Sequence, residues 1–501
     1  MRRADGVRAG NLGWVPLAAL VALTGFSVAM LAWQVVTPHP ARLAGLWIDR
    51  LAASLGLLVS AIGAVTYRFS MRYLDGDPGR RRFLRWLGFT VAMAYVLMLA
   101  SNLVLLFVAW SMTSLGLHKL LTYYGDRPEA WRPARKKFLI SRLGDLALVG
   151  AILLIGRDWG TTDLHDFLGA FVETGGAGAS GIALLVATAA LTKSAQFPFH
   201  SWLPETMESP TPVSALMHAG IVNAGGALLL RFSPLIVRVP ESLLLLSLVG
   251  TITACLGMLA MWAQVKVKRT LAWSTVGQMG FMMVQCGLGA FPAAALHMVG
   301  HGCYKAWSFL RSGDLPGPSR PMIPASTGWT LMVAAVGTVA SLPALGLASR
   351  LTGFHPWNSP GELALTAIVA LSIGQLWVTI LRVSPLDLAG RVRQVIGALV
   401  ATVAAAVAIF ALYQGVASFL HPVLGEMPAP AGPMAWMAAT LPVVGLVALV
   451  GISAALPTLG RSRAGRAFQV HALQGFYFGA IADRLVDRAW SRFKITGVDH
   501  A

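Results

Sequence analysis

Charge is what this sequence has least of. Only 12% of its 501 residues are Asp, Glu, Lys or Arg, while 56% are hydrophobic. Ordinary soluble domains carry about twice that charged fraction. The shortage, together with many apolar runs of about 18 residues or more that can each cross a bilayer, excludes a soluble multidomain enzyme. Cysteine is nearly absent too. Cys255, Cys286 and Cys303 lie in apolar runs, with no CxxC pair and no histidines at metal spacing. Neither a disulfide framework nor a zinc site is expected. No phosphate-binding glycine loop is present, since the stretch GGAGASG lacks a following Gly-Lys-Ser/Thr. Nor does a small-residue cleavage pattern follow the apolar stretch Gly13–Val36, so that stretch is expected to remain as a first span.

What is present is an excess of positive charge, net +18. Nucleic acid is not its expected partner, because the cations fall in short segments between apolar runs. Fourteen spans are predicted, near 14–36, 51–69, 84–100, 102–122, 138–156, 180–197, 211–231, 242–262, 270–289, 292–312, 328–347, 361–382, 393–414 and 434–456. With both termini cytoplasmic, the inner segments hold thirty of the 39 Lys and Arg residues and the outer loops six. That is the positive-inside pattern. The expected fold class is therefore all-α, a polytopic transmembrane helix bundle. Four regions are expected: N-terminal helices over 1–84, a translocation core over 85–315, C-terminal helices over 316–456 and a basic amphipathic tail over 457–501. In the tail, Phe476, Ile481, Leu485, Val486 and Trp490 can share a helix face, with Arg484, Arg488 and Arg492 elsewhere. Such a tail lies on the membrane, docks a cytoplasmic partner or frays.

Ionisable residues inside spans are costly, so each is a functional-site candidate. Lys193 closes the run GIALLVATAALTK and precedes Pro198, Pro204, Pro210 and Pro212. Proline breaks a helix. Broken backbone is tolerated in a membrane where it is buried in protein or lines a wet cavity, so Lys193 marks an ion path. The competing reading is a lysine snorkelling from a helix end. His297, His301 and Lys305 follow at i, i+4, i+8, on one helix face spanning about 12 Å. They suit a proton relay, the alternative being polar glue between helices. His218 lies a quarter of the way into its span. Arg142 and Asp145 stand at i, i+3 and are expected to pair. Gln196 and Asn223 are supporting polar groups. Beyond Lys305 the spans are almost without charge, with Glu362 and Arg382 at their ends.

At these residues the chain resembles a known family. KSAQFPFHSWLPETMESPTPVSALMHAG, VKRTLAWSTVGQMGFM and HMVGHGCYKAWSFLRSG are similar to the antiporter-like family. This includes the proton-pumping subunits of NADH:quinone oxidoreductase and the Mrp cation/proton antiporters. The resemblance covers roughly residues 85–315. It implies that Lys193 is the broken-helix lysine and Lys305 the central relay lysine. His218, His297 and His301 would be the intramembrane histidines, and Asp145 the buried aspartate. HAGIVNAGG, QCGLGAF and YKAWSFLRSG resemble the DabB-type branch, the membrane subunits of two-component inorganic-carbon transporters. That implies a DabA-like cytoplasmic zinc partner resembling β-carbonic anhydrase, and a chain that moves protons or Na⁺ with no cofactor of its own. Three features depart from the complex I pattern. Ser111 replaces the glutamate that pairs with the broken-helix lysine, leaving Asp145 as the candidate partner. Lys266 replaces the acidic residue before the Lys-Arg loop. The late broken-helix lysine and the long lateral helix are missing. Three functions remain in view: the energy-coupling subunit of a bicarbonate-accumulating complex, a respiratory or Mrp-type subunit, and a membrane anchor for a cytoplasmic enzyme.

Overall fold

The computed structural model describes residues 13–37, 39–176, 178–314, 325–382 and 387–494, with side chains placed to residue 488. Arg2, Arg3, Arg8 and the side chains of Trp490 and Arg492 lie outside the described residues. Helix α1 (Trp14–Val36) leads to a short antiparallel ribbon, β1 (Ala41–Leu43) and β2 (Leu46–Ile48). Then come α2 (Arg50–Tyr73), α3 (Arg80–Leu99), α4 (Leu103–Leu121), α5 (Pro128–Trp159), the short α6 (Leu164–Thr174) and α7 (Ala179–Lys193). The chain breaks and resumes as α8 (Trp202–Glu205), α9 (Thr211–Ala219), α10 (Ala224–Arg231) and α11 (Ser233–Ile236). Seven long helices follow: α12 (Pro240–Ala263), α13 (Val267–Gly287), α14 (Phe291–Leu310), α15 (Thr327–Thr352), α16 (Pro360–Leu381), α17 (Leu388–Leu424) and α18 (Pro433–Leu459). The tail forms α19 (Arg463–Leu473) and α20 (Phe478–Lys494).

The helices start where capping chemistry starts them. Asp49, Asn102 and Asp163 accept from backbone N–H groups in the first turns of α2, α4 and α6. Each satisfies donors that have no partner inside the helix. Proline stands at the first turn of α5, α9, α12, α14, α16 and α18, where its missing N–H costs nothing.

Eleven helices, counting α9 to α10 as one, are long and apolar enough to cross a membrane among the described residues. At the other three expected positions stand α7, apolar but only 15 residues long, and α13 and α14, which carry Lys268, Arg269 and Lys305. The chain is thus an all-α polytopic bundle. Its outer surface is apolar, as lipid requires: Val339, Val400 and Val444 are all exposed. Alternate loops gather at opposite ends. At one end Ser101 N–H donates to the Gly45 carbonyl and Ser101 Oγ to Asp163. At the other, Arg127 pairs with Glu208 and Lys268 Nζ donates to Thr211 Oγ1. This is the alternation that consecutive spans produce.

The buried apolar residues form one large cluster from α1 to α14, a smaller one within α15, α16 and α17, and a third where α13, α16 and α18 meet. Helix α17 runs ten residues past the expected span. There Leu420 and Leu424 join the large cluster and the Phe419 carbonyl accepts from Arg50 at 2.9 Å.

Candidate functional site

The site begins where α7 stops. Lys193 is its last residue, and Ala195 adopts a left-handed backbone at φ 51°, a conformation that costs an L-residue about 1–2 kcal/mol. A second break faces this one. Between α9 and α10 a 3₁₀ turn covers Ile221–Asn223, and Ser194 Oγ donates to the Val222 carbonyl at 2.8 Å. Gly225 makes the approach possible, since a Cβ there would lie 2.3 Å from Ser194 Oγ. Gln196 Nε2 donates to the Ser194 carbonyl, and Asn223 Nδ2 to the Ala219 carbonyl. Gln196 Oε1 and Asn223 Oδ1 are buried with no hydrogen-bond partner among the described residues.

Lys193 is buried, and its ammonium turns toward α4. Nζ donates to the Trp110 carbonyl at 2.8 Å and to Ser114 Oγ at 2.6 Å, and lies 4.3 Å from the Trp110 ring centre. No carboxylate among the described residues touches it. Asp145 reaches it through Trp110, whose Nε1 donates to Asp145 Oδ1 at 3.1 Å. Arg142 pairs with Asp145 at 2.7 Å, as the i, i+3 spacing predicts. Helices α5 and α7 come this close because of Gly144, whose Cβ would sit 2.2 Å from Thr192 Oγ1. Ser111 Oγ is buried without a partner. The hydroxyl that meets Lys193 is Ser114, one turn further along α4.

The second group lies on α14. Lys305 is fully buried, and Nζ donates to the Leu271 carbonyl of α13 at 2.9 Å. His301 Nε2 has no hydrogen-bond partner among the described residues, and its ring stands 5.7 Å from that of His297. His297 Nδ1 meets Gln285 Oε1 at 2.9 Å. It lines a cavity of about 360 Å³ reaching Tyr413 of α17. His218 stacks on Phe309 at 4.4 Å, and both its nitrogens are unpartnered among the described residues. No hydrogen bond joins this group to Lys193 among the described residues. The nearest polar link is Asn223, 3.5 Å from the Met298 carbonyl.

Several charged residues escape a reading by hydropathy. That reading starts the fifth span at 138, but α5 begins at Pro128 and buries both Lys136 and Lys137. Lys137 Nζ donates to the Ser114 carbonyl at 2.8 Å. Lys136 Nζ lies 2.7 Å from both Glu205 and Asp483. Asp483 comes from α20, so the tail docks on its own chain. There Phe478 meets Phe197 and His200 edge-on, and Lys136 also donates to the Gly479 carbonyl. The expected apolar stripe faces elsewhere, with Ile481 and Leu485 exposed. Burial holds His200 down at about 4, and the Lys136 cation adds to the effect. Burial raises the Glu205 carboxyl, and Lys136 opposes it. At the end that carries Gly45 and Ser101, Arg231 pairs with Asp49, both buried. No three His, Cys, Asp or Glu side chains among the described residues converge to hold a metal ion.

A bundle of this architecture, with a buried lysine at a broken helix and histidines and a second lysine on another, defines the antiporter-like class of membrane subunits. Residues 100–321 match the family model described as NADH:quinone oxidoreductase/Mrp antiporter, transmembrane. The fold resembles a chain in the structure of the Mrp complex from Dietzia sp. DQ12-45-1b. The TM-score is 0.56 at 28% identity, over 97% of this chain and 56% of that one. The chain belongs to the DabB family of inorganic carbon transporter subunits. It is 35% identical over 462 residues to the probable inorganic carbon transporter subunit DabB2 of Halothiobacillus neapolitanus, covering 88% of this chain and 80% of that one. It is 37% identical over 374 residues to the probable subunit DabB of Hydrogenovibrio crunogenus, covering 72% of each.

Proposed function

We propose that this chain conducts a cation, a proton in the first instance, through a bacterial inner membrane. It does so as the energy-coupling subunit of an inorganic-carbon pump. The cation flow drives one-way hydration of CO2 to bicarbonate in a DabA-like cytoplasmic zinc partner. This chain carries out no covalent chemistry itself, and both its termini face the cytoplasm with the basic loops. One observation carries the reading. Lys193 is buried at a helix break and, among the described residues, held only by a carbonyl, a ring face and a hydroxyl. An ammonium with no fixed counter-charge in contact can give up and regain a proton. Asp145, one tryptophan away, biases that exchange without locking it. The near absence of charge beyond Lys305 weighs against a respiratory subunit with a second channel.

The test is Lys193→Ala. Carbon uptake is expected to be abolished while the complex still assembles; normal uptake would defeat the transport reading and leave a membrane anchor. Native purification with identification of the co-eluting polypeptide and its zinc content tests the partner.

A further inference from the structure

We infer that Lys137 and His118 form the cytoplasmic exit of the Lys193 path, an inference that rests on the proton-conducting reading above. The observation is a shared residue. The two buried ammonium groups, Lys193 from α7 and Lys137 from α5, both donate to Ser114, one to its hydroxyl at 2.6 Å and the other to its carbonyl at 2.8 Å. Trp110, Ser114 and His118 recur every four residues along α4 and so share one face. His118 is one turn nearer the helix end, with Nδ1 buried and unpartnered. Its ring lies 5.7 Å from that of Phe138, the residue after Lys137. Burial falls away along this line: Lys137 is buried, His118 is half-buried and the following Lys119 is exposed. The line therefore runs from the closed centre of the bundle to the basic end of α4.

The charged groups that act on Lys137 are Lys193, Asp145 and Arg142, and those that act on His118 are Lys137 and Lys119. No carboxylate among the described residues contacts either group, so two cations beside one Asp145 repel each other. Charging Lys193 expels a proton from Lys137, which is the direction an exit needs. In the transfer an N–H bond of Lys193 breaks as Ser114 Oγ takes the proton. The neutral Lys137 amine swings from the Ser114 carbonyl to its hydroxyl, takes the hydroxyl proton there and leaves Ser114 in its starting state. Rotation of the Lys137 stem then carries the proton to His118 Nδ1, and water at the helix end takes it.

A purely structural lysine, tying α4 to α5 through the Ser114 carbonyl, predicts something different. Arginine would replace it, because a guanidinium keeps the donor and the charge but does not deprotonate in proteins. The experiment measures proton-driven carbon uptake by vesicles holding the full chain with its partner subunit, at equal assembled amounts. Lys137→Arg is expected to lose at least tenfold, and Lys137→His, which stays titratable, to keep at least a third of the parent rate. His118→Phe, which preserves the ring contact, is expected to lose at least tenfold. Arginine within twofold of the parent, histidine no better than arginine, or an active His118→Phe would each overturn the exit. Lys193→Ala is run alongside: if it retains uptake, the conducting reading fails, whereas if it alone is inactive, only the exit fails.

Discussion

Replacing Lys136 by methionine tests how the tail is held. The lysine is fully buried and lies 2.7 Å from both Glu205 and Asp483. Removing one partner of a fully buried ion pair costs about 3–5 kcal/mol, because the other charge is stranded. Here water recovers part of that cost, since the Glu205 and Asp483 side chains keep 29% and 45% of their exposure. About 2 kcal/mol is left, or roughly thirtyfold in the equilibrium between docked and released tail. Trypsin reports that equilibrium when opening is fast relative to cleavage, and Arg484 and Arg488 are the scissile sites. Cleavage of detergent-solubilised Lys136→Met should be about thirty times faster than in the parent. Asp483→Asn, removing the more exposed carboxylate, should give a smaller effect of about fivefold. A cleavage rate within twofold of the parent, in a Lys136→Met protein with unchanged helix content, would refute the role of this ion triad.

The His200 imidazole sits at about 4, below its ordinary value of 6.5. The stability from keeping it neutral is present above about pH 6.5 and lost as pH falls toward 4, reaching about 2 kcal/mol at pH 5. Glu205, raised by burial, works in the opposite sense. The difference between the parent and His200→Phe between pH 7.5 and 5, read by thermal unfolding, therefore isolates the histidine. Ala195→Gly should be tolerated within about 1 kcal/mol, while the β-branched Ala195→Val should lower the melting temperature by several degrees, because φ is positive there. Asp145→Asn keeps the bond from Trp110 but deletes the nearest negative charge to Lys193. Uptake is expected to fall about tenfold, the equivalent of one pKa unit, with assembly unchanged.

The spans were legible because lipid imposes one pattern, a long apolar run, and every expected run is helical. Lys193 and its break were legible because Pro198 and a charge at the end of an apolar run announce themselves. Lys136 and Lys137 were not, since a cluster of cations before an apolar run reads as a loop; only Pro128 and Glu129, which start α5 early, signalled otherwise. Ser114 carries no signature on an apolar helix, although its spacing from Trp110 and His118 was open to view. The docking of α20 is tertiary: its inward contacts are Phe478 and Asp483, which no helical periodicity singles out.

The docked tail also has a mechanical consequence. Phe478 bears on Phe197, four residues after Lys193 along the same strand of chain, with no intervening helix to absorb displacement. Displacement of α20 would therefore act first on the chain beside the left-handed turn at Ala195. From Phe197 the contact continues inward through the aromatic cluster of His200 and Trp273.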